Sequence, residues 1–321
     1  LPLKKGYPLW KPKAYTSRLP EIYKQEGVHI GDVGMLNESG GFDYLFNACH
    51  PANDPLNIGR VPPGFKPMDI DYDDIVDDER EYGPSSHIPS HPSHILKSRI
   101  ETLGPTLPWV PEEVGAGLSF RTRANKGALL ILPEGGKRVD HQQISKFCNY
   151  AADCAQSWYS HVNGPLARGA HNGALYLVTG FDKARAWGVA AFTDVEEGDQ
   201  VALDFEPKVS ASIGEAAEYW FRRSDFAWSS CDADVSKRQS GCVFLRGFKI
   251  SVRRNHFLPP KISSKVTDIR DLSADELLSK SKEINSSDSP FKWSFWFPTA
   301  QTNSDTTSEQ QRAGNKYRVS Y

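Results

Sequence analysis

Residues 172–192 read NGALYLVTGFDKARAWGVAAF, and this stretch carries most of the fold prediction. Two apolar runs, residues 174–179 and 186–192, flank the polar segment 180–185. Short apolar runs bounded by polar residues are typical of buried strands. A connection this short favours antiparallel neighbours over a crossover. We therefore predict a β-hairpin whose tip is formed by residues 180–185.

The tip of this hairpin supplies the candidate binding residues. Asp182 can accept hydrogen bonds, and Lys183 and Arg185 offer cationic donors. Trp187 adds a flat aromatic face. Recognition residues concentrate in loops held by rigid strands, so the set suits a carboxylate, a phosphate or an acidic protein partner. The structural alternative is that Asp182 closes the turn, Lys183 is solvated and Trp187 is core.

One helix and several further strands surround this hairpin in the prediction. Residues 140–162 place apolar side chains at three- and four-residue spacing, which predicts a long amphipathic helix capped at Asp140. A helix packed on a mainly antiparallel sheet gives the α+β class. The other predicted strand regions are a hairpin over residues 28–46 and strands over 128–132, 201–205, 218–228 and 242–252.

The predicted domain organisation is a single α+β domain over residues 1–258. Within it, residues 1–30 form a basic, aromatic-rich extended arm, and residues 47–117 form a long loop region rich in Pro, Gly and Asp. After it, residues 259–321 form a mostly flexible polar tail.

The tail contains two local features. Ser273 and Glu276 have the spacing of a capping box, which predicts one short helix near residues 271–281. Residues 291–297 (FKWSFWF) form an aromatic island in polar sequence, which either docks elsewhere or packs back on the domain.

Composition limits the function classes. The 321 residues carry a net charge of −2 and are 39% hydrophobic, which supports a packed core and gives no global basic field for nucleic acid. No apolar run reaches the roughly 20 residues of a membrane-spanning helix. The five cysteines lack a CxxC pair, so we expect free thiols and a cytoplasmic location. Because the chain starts at Leu1, upstream targeting sequence or domains stay open.

No catalytic, metal or cofactor template fits the sequence. His87, His91 and His94 are the one local cluster with zinc-like spacing, but nearby prolines and the lack of a cysteine favour a surface loop. The acidic run 69–81 lacks the glycine and the last glutamate of a calcium loop. Residues 133–137 (PEGGK) lack the full phosphate-loop pattern. We therefore predict no catalytic residues, no metal and no cofactor.

Three phrases carry a family resemblance. They are GDVG at residues 31–34 with FDYLFN at 42–47, LYLVTGFDK at 175–183 with WGVAAF at 187–192, and CVFLRG at 242–247. Over about residues 6–256 the chain resembles a large uncharacterised protein family of mushroom-forming fungi, the basidiomycetes. Phe181 stands where that family has cysteine, which speaks against a thiol role there. The resemblance implies lineage and no activity.

The function that we expect from the sequence is a non-catalytic intracellular binding or interaction module, with recognition and defence as candidate roles. Its partner would be a protein or a small anionic ligand. Two alternatives stay open. The predicted helix that leads into LYLVTG at residues 175–180, with the strand pair that follows, also resembles a region of gasdermin pore-forming domains, and about a dozen residues carry this likeness. An unfamiliar hydrolase could also draw His and Asp from separate loops.

Overall fold

The computed structural model describes residues 5–14, 18–90, 95–101, 107–208, 216–234, 236–255 and 261–278. These residues are largely β. Three α-helices accompany the strands: Glu21–Glu26 (α1), Ile144–Asn163 (α2) and Ala274–Leu278 (α3). Within this part of the chain, no helix combines the length and apolar character needed to cross a membrane.

The described strands number sixteen. In chain order they are Tyr7–Pro8 (β1), Asp32–Leu36 (β2), Phe42–Asn47 (β3), Ile75–Tyr82 (β4), Ser86–Pro89 (β5), Ile95–Arg99 (β6), Leu118–Thr122 (β7), Gly127–Leu132 (β8), Gly136–His141 (β9), Leu175–Ala184 (β10), Ala186–Phe192 (β11), Val201–Lys208 (β12), Glu218–Ser224 (β13), Trp228–Ala233 (β14), Gly241–Asn255 (β15) and Lys261–Asp268 (β16).

The strands form three antiparallel sheets. Sheet A has the order β1-β15-β10-β2-β3, with β16 also on β15, β9 also on β10, and β4 on β9. Sheet B has the order β14-β11-β8-β5, and sheet C the order β13-β12-β7-β6. The predicted hairpin over 28–46 is confirmed as β2 and β3, paired from Asp32↔Asn47 to Leu36↔Phe42. The predicted strand over 218–228 is wrong, because a turn divides it into β13 and the start of β14.

The prediction that residues 174–179 and 186–192 form a hairpin is wrong. β10 runs on through Ala184, and after Arg185 alone the chain continues as β11 in a different sheet. β10 pairs with β15, β2 and β9, whereas β11 pairs with β8 and β14. Residues 180–185 are therefore the passage between sheets A and B and not a loop tip.

Two cores separate the sheets. Leu130, Leu132 and Val189 of sheet B pack with Val243 and Phe244 of sheet A. The opposite face of sheet B packs on sheet C, and that core includes Leu129, Ile131, Ala190, Leu118, Phe120, Leu203 and Phe205. Sheet B thus lies between sheets A and C, and its central strands β8 and β11 are largely buried on both faces.

Helix α2 packs against β10, β15 and β16 of sheet A. Its buried face includes Phe147, as the apolar spacing predicts, with an exposed fraction of 0%. The predicted N-terminus is wrong: the cap position is Gln143, and Asp140 belongs to β9. The helix is a smaller part of the fold than the α+β prediction implies. Its buried residues are Phe147, Ala151, Ala155, Trp158, Tyr159, His161 and Val162.

Two regions predicted to lack regular structure contain strands. The loop region 47–117 holds β4, β5 and β6, whose side chains are mostly exposed or half-buried and so show no apolar alternation. The arm over residues 1–30 includes β1 and α1.

The fold also continues past the boundary predicted at residue 258. β16 pairs with β15 from Asn255↔Lys261 to Phe248↔Asp268, and α3 follows. The capping box is confirmed, since the Ser273 N–H donates to Glu276 over 2.9 Å and the Glu276 N–H to Ser273 over 3.2 Å. The aromatic island at 291–297 lies outside the described residues.

Candidate functional site

The four predicted binding residues lie inside the protein. Asp182, Lys183, Arg185 and Trp187 have exposed fractions of 0%, 5%, 8% and 2%. The first two belong to β10, Trp187 belongs to β11, and Arg185 joins the two strands. Since none lies on a loop tip, the geometric argument for a binding role at this position does not hold, and the charged groups of Asp182, Lys183 and Arg185 have partners within the fold.

Asp182 is the centre of an ionic network in sheet A. Its carboxylate accepts from Arg246 Nη1 over 2.7 Å, from Arg138 Nε over 3.1 Å and from the Tyr82 hydroxyl over 2.5 Å. Arg246 also donates to Asp140 over 2.5 Å. A buried carboxylate is tolerated when its lone pairs are satisfied in this way. Asp182 therefore ties β10 to β4, β9 and β15.

Lys183 points to the other face of β10. Its Nζ donates to the carbonyl of Glu26 at the end of α1 over 2.6 Å and lies 4.3 Å from the Phe181 ring centroid. Burial lowers the pKa of Lys183 to about 8. Burial raises the pKa of nearby Asp32 to about 7. Hydrogen bonds from the His29 N–H and the Asn47 amide favour the charged form and lower this pKa, but burial has the larger effect.

Arg185 and Trp187 fix the passage between the sheets. The guanidinium of Arg185 is paired with the Glu134 carboxylate and donates to the carbonyl of Asp234 over 3.0 Å. Burial would lower the pKa of Arg185, but the hydrogen bond and charge of Glu134 raise it. The Trp187 ring covers Gly241, where a Cβ would lie 2.0 Å from the ring. The structural alternative for Trp187 as a core residue therefore holds.

A different feature is open to solvent: a groove of about 560 Å³ on the β2–β3 side of sheet A. Four segments line it. The N-terminal arm contributes residues 11, 13, 14, 18 and 19, and the β2–β3 hairpin contributes residues 37, 39 and 41–45. Residues 58–60 and the segment after α2, residues 166 and 168, complete it. This volume is within the range of small-molecule sites.

The groove is strongly cationic. Five of its lining residues are Lys or Arg, and Asp43 is the one acidic residue among the described lining. That carboxylate is engaged, with Arg168 Nη2 at 3.3 Å and the Asn37 amide donating over 2.8 Å. Lys11 and Arg18 are exposed and form no ion pair within the described residues. The cations are Lys11, Lys13, Arg18, Arg60 and Arg168.

Local contacts hold the walls in place. The arm is fixed to the hairpin turn because the Lys11 N–H donates to the Gly40 carbonyl over 3.0 Å. The Arg60 carbonyl accepts from His161 Nε2 of α2 over 2.7 Å, and the Arg60 side chain donates to the Arg18 carbonyl. The hairpin turn is closed by Asn37 Oδ1, which accepts from the Gly41 N–H over 2.9 Å. Hydrogen bonds thus hold in place the backbone segments that carry the cations.

Sequence reasoning missed this groove because its cations are separated by up to 157 positions and the net charge of −2 conceals them. The one available signal was the basic character of the arm, which supplies Lys11, Lys13 and Arg18.

Of the predicted histidine cluster, His87 belongs to β5, whereas His91 and His94 lie outside the described residues. All five cysteines are free thiols, as predicted.

Comparison with protein-family models and with curated proteins gives no match. The proposed fungal lineage therefore stays a prediction. The structure does bring its phrases together, since β2 of the GDVG phrase pairs with β10 of the LYLVTG phrase through Val33↔Leu177 and Gly34↔Tyr176. The CVFLRG phrase lies in β15 on the other side of β10, where Phe181 pairs with Leu245. The GDVG, FDYLFN, LYLVTGFDK and CVFLRG phrases thus lie in sheet A, whereas WGVAAF lies in β11 of sheet B. Of these phrases, FDYLFN contributes residues 42–45 to the groove lining.

Proposed function

We propose that this chain is a binding module that takes an anionic ligand in the groove formed by the arm, the β2–β3 hairpin and residues 58–60 and 166–168. The observation that carries the proposal is the charge of the lining, five cations against one engaged carboxylate. Cations gathered in a concave site focus the local field and attract anions. Lys11 and Arg18 have no ionic partner within the described residues, so a ligand would provide one.

The lining favours binding over catalysis. Two of the described lining residues carry a hydroxyl: that of Ser39 donates to Asn37 Oδ1 over 2.8 Å, and that of Tyr44 donates to the Leu56 carbonyl over 3.0 Å. An activated serine needs a base as its hydrogen-bond acceptor, and a side-chain amide is not one. The described lining therefore offers charge and shape without an assembled nucleophile.

Calorimetric titration with tripolyphosphate tests the proposal. The test variant is Lys11→Glu/Arg18→Glu. Its matched control is Arg123→Glu/Lys126→Glu, which changes the net charge equally at exposed residues outside the groove. We expect the groove variant to lose at least about tenfold in affinity, because reversing two charges removes more than about 1.4 kcal/mol of binding free energy. The control should lose about twofold or less.

Equal losses in the two variants would show that tripolyphosphate responds only to net charge, and the groove would then not be a site. Thermal unfolding of both variants verifies folding. The alternatives from the sequence are separable by other assays: a pore-forming domain releases dye from vesicles, and a hydrolase turns over substrates in a broad activity screen.

A further inference from the structure

We infer that the ligand of the groove is a phosphate-rich molecule without a nucleobase, an inference that rests on the proposed function. Three features of the groove support this inference: its charge balance, its buried aromatic faces and an exposed apolar side chain at its rim.

The charge balance favours phosphate groups. Five cations and Asp43 leave a formal excess of four positive charges. A phosphate monoester carries about −1.5 to −2 at neutral pH, so two or three such groups balance the excess. Carboxylates carry one charge each, so four would have to fit in the same groove. Three of the cations are arginines, whose planar guanidinium binds phosphate oxygens in pairs.

The aromatic side chains of the described lining are closed to stacking. Tyr44 is stacked on Tyr23 with ring centroids 4.2 Å apart, and the Arg60 guanidinium lies 5.8 Å from its centroid. Phe42 is 7% exposed, and its ring lies against the backbone of Gly34. Nucleotide sites commonly stack the base on an aromatic face. The lining therefore offers a base no aromatic platform.

An apolar side chain stands at the rim beside the cations. Ile58 is 66% exposed and precedes Gly59 and Arg60. Such a rim is compatible with two sources of the same chemistry, a free polyphosphorylated sugar or cyclitol and the phosphorylated headgroup of a lipid. In the second case Ile58 would contact the membrane interface.

The experiment compares four soluble probes and one vesicle probe on the full chain. Tripolyphosphate and inositol hexakisphosphate represent base-free phosphates, ATP adds a base at similar charge, and citrate replaces phosphate by carboxylate. We expect both base-free phosphates to bind, citrate to bind at least about tenfold more weakly, and ATP no more tightly than tripolyphosphate. Phosphatidylcholine vesicles with and without phosphatidylinositol bisphosphate, tested on wild type and Ile58→Ser, distinguish the lipid source from the free one.

The outcomes separate the two proposals. Citrate binding as tightly as tripolyphosphate, or ATP binding tenfold more tightly, would overturn the phosphate-rich, base-free ligand and leave the anion groove standing. Failure of every anion to bind would overturn both. Phosphoinositide-dependent sedimentation that Ile58→Ser reduces assigns the lipid source, and soluble binding without sedimentation assigns the free source; either result supports the inference.

Discussion

Asp182 holds a charge at a position without solvent exposure, and three donors surround it. Arg246 is nearly as buried, with 4% of its side chain exposed, so each member of this pair depends on the other. Removing one partner of a buried pair leaves an uncompensated charge, which costs more than the pair itself contributes.

We predict that Asp182→Ala lowers the free energy of unfolding by about 3–5 kcal/mol. The control is Asp77→Ala, which removes the partly exposed Asp77–Lys137 ion pair and should cost less than about 1 kcal/mol. Urea unfolding at pH 7 measures both. Similar small losses in the two variants would contradict the structural role assigned to Asp182.

The pKa of Asp32 gives a prediction with a defined sign. In the folded protein burial raises it to about 7 from its ordinary value of 3.8, so between about pH 4 and 7 the folded state holds a proton that the unfolded state has released. The stability contributed by Asp32 is therefore greatest near pH 4 and falls by up to about 1.4 kcal/mol per pH unit towards pH 7.

The measurement is urea unfolding of wild type and Asp32→Asn at pH 4.5, 5.5 and 6.5. The variant loses a hydrogen-bond acceptor at every pH, so only the trend of the difference matters. The difference between wild type and variant also cancels the contribution of His29, because both proteins contain it. Burial lowers the pKa of His29 to about 4. The wild-type advantage should shrink as pH rises, and a constant difference would refute the raised pKa of Asp32.

At the scale of elements, the passage from β10 in sheet A to β11 in sheet B is a feature that the sequence pattern did not predict. The alternating and continuous apolar patterns located β2, β3, β8, α2 and β15, because these elements bury residues at the period of their backbone. The polar run 180–185 predicts a turn because charged residues are seldom buried. Asp182 is paired with Arg138 and Arg246, and Arg185 is paired with Glu134, all of them distant in sequence. A single sequence does not reveal such pairings.

Among the described side chains of α3, one is buried. Leu277 of α3 is completely buried, and its carbonyl accepts from Lys249 Nζ over 2.8 Å. We predict that Leu277→Ala costs about 2–5 kcal/mol of unfolding free energy. Asp275→Ala on the same helix is exposed and should cost less than about 1 kcal/mol. Chemical denaturation compares them, and an unchanged stability for Leu277→Ala would restore the flexible-tail interpretation for α3.

At the scale of the molecule, charge is unevenly distributed. The chain is weakly acidic overall, yet the arm and the two segments that carry Arg60 and Arg168 bring five cations to one groove. Composition excluded a global basic field and said nothing of local ones, since the groove exists only after four separate segments fold together. The account therefore depends on the groove as the place where an anion binds.

The most direct test is a crystal structure of the protein grown with saturating tripolyphosphate. We predict phosphate density in the groove, with oxygens at hydrogen-bond distance, about 2.7–2.9 Å, from the side-chain nitrogens of Lys11 and Arg18. An empty groove with tripolyphosphate bound at another surface would contradict the central claim.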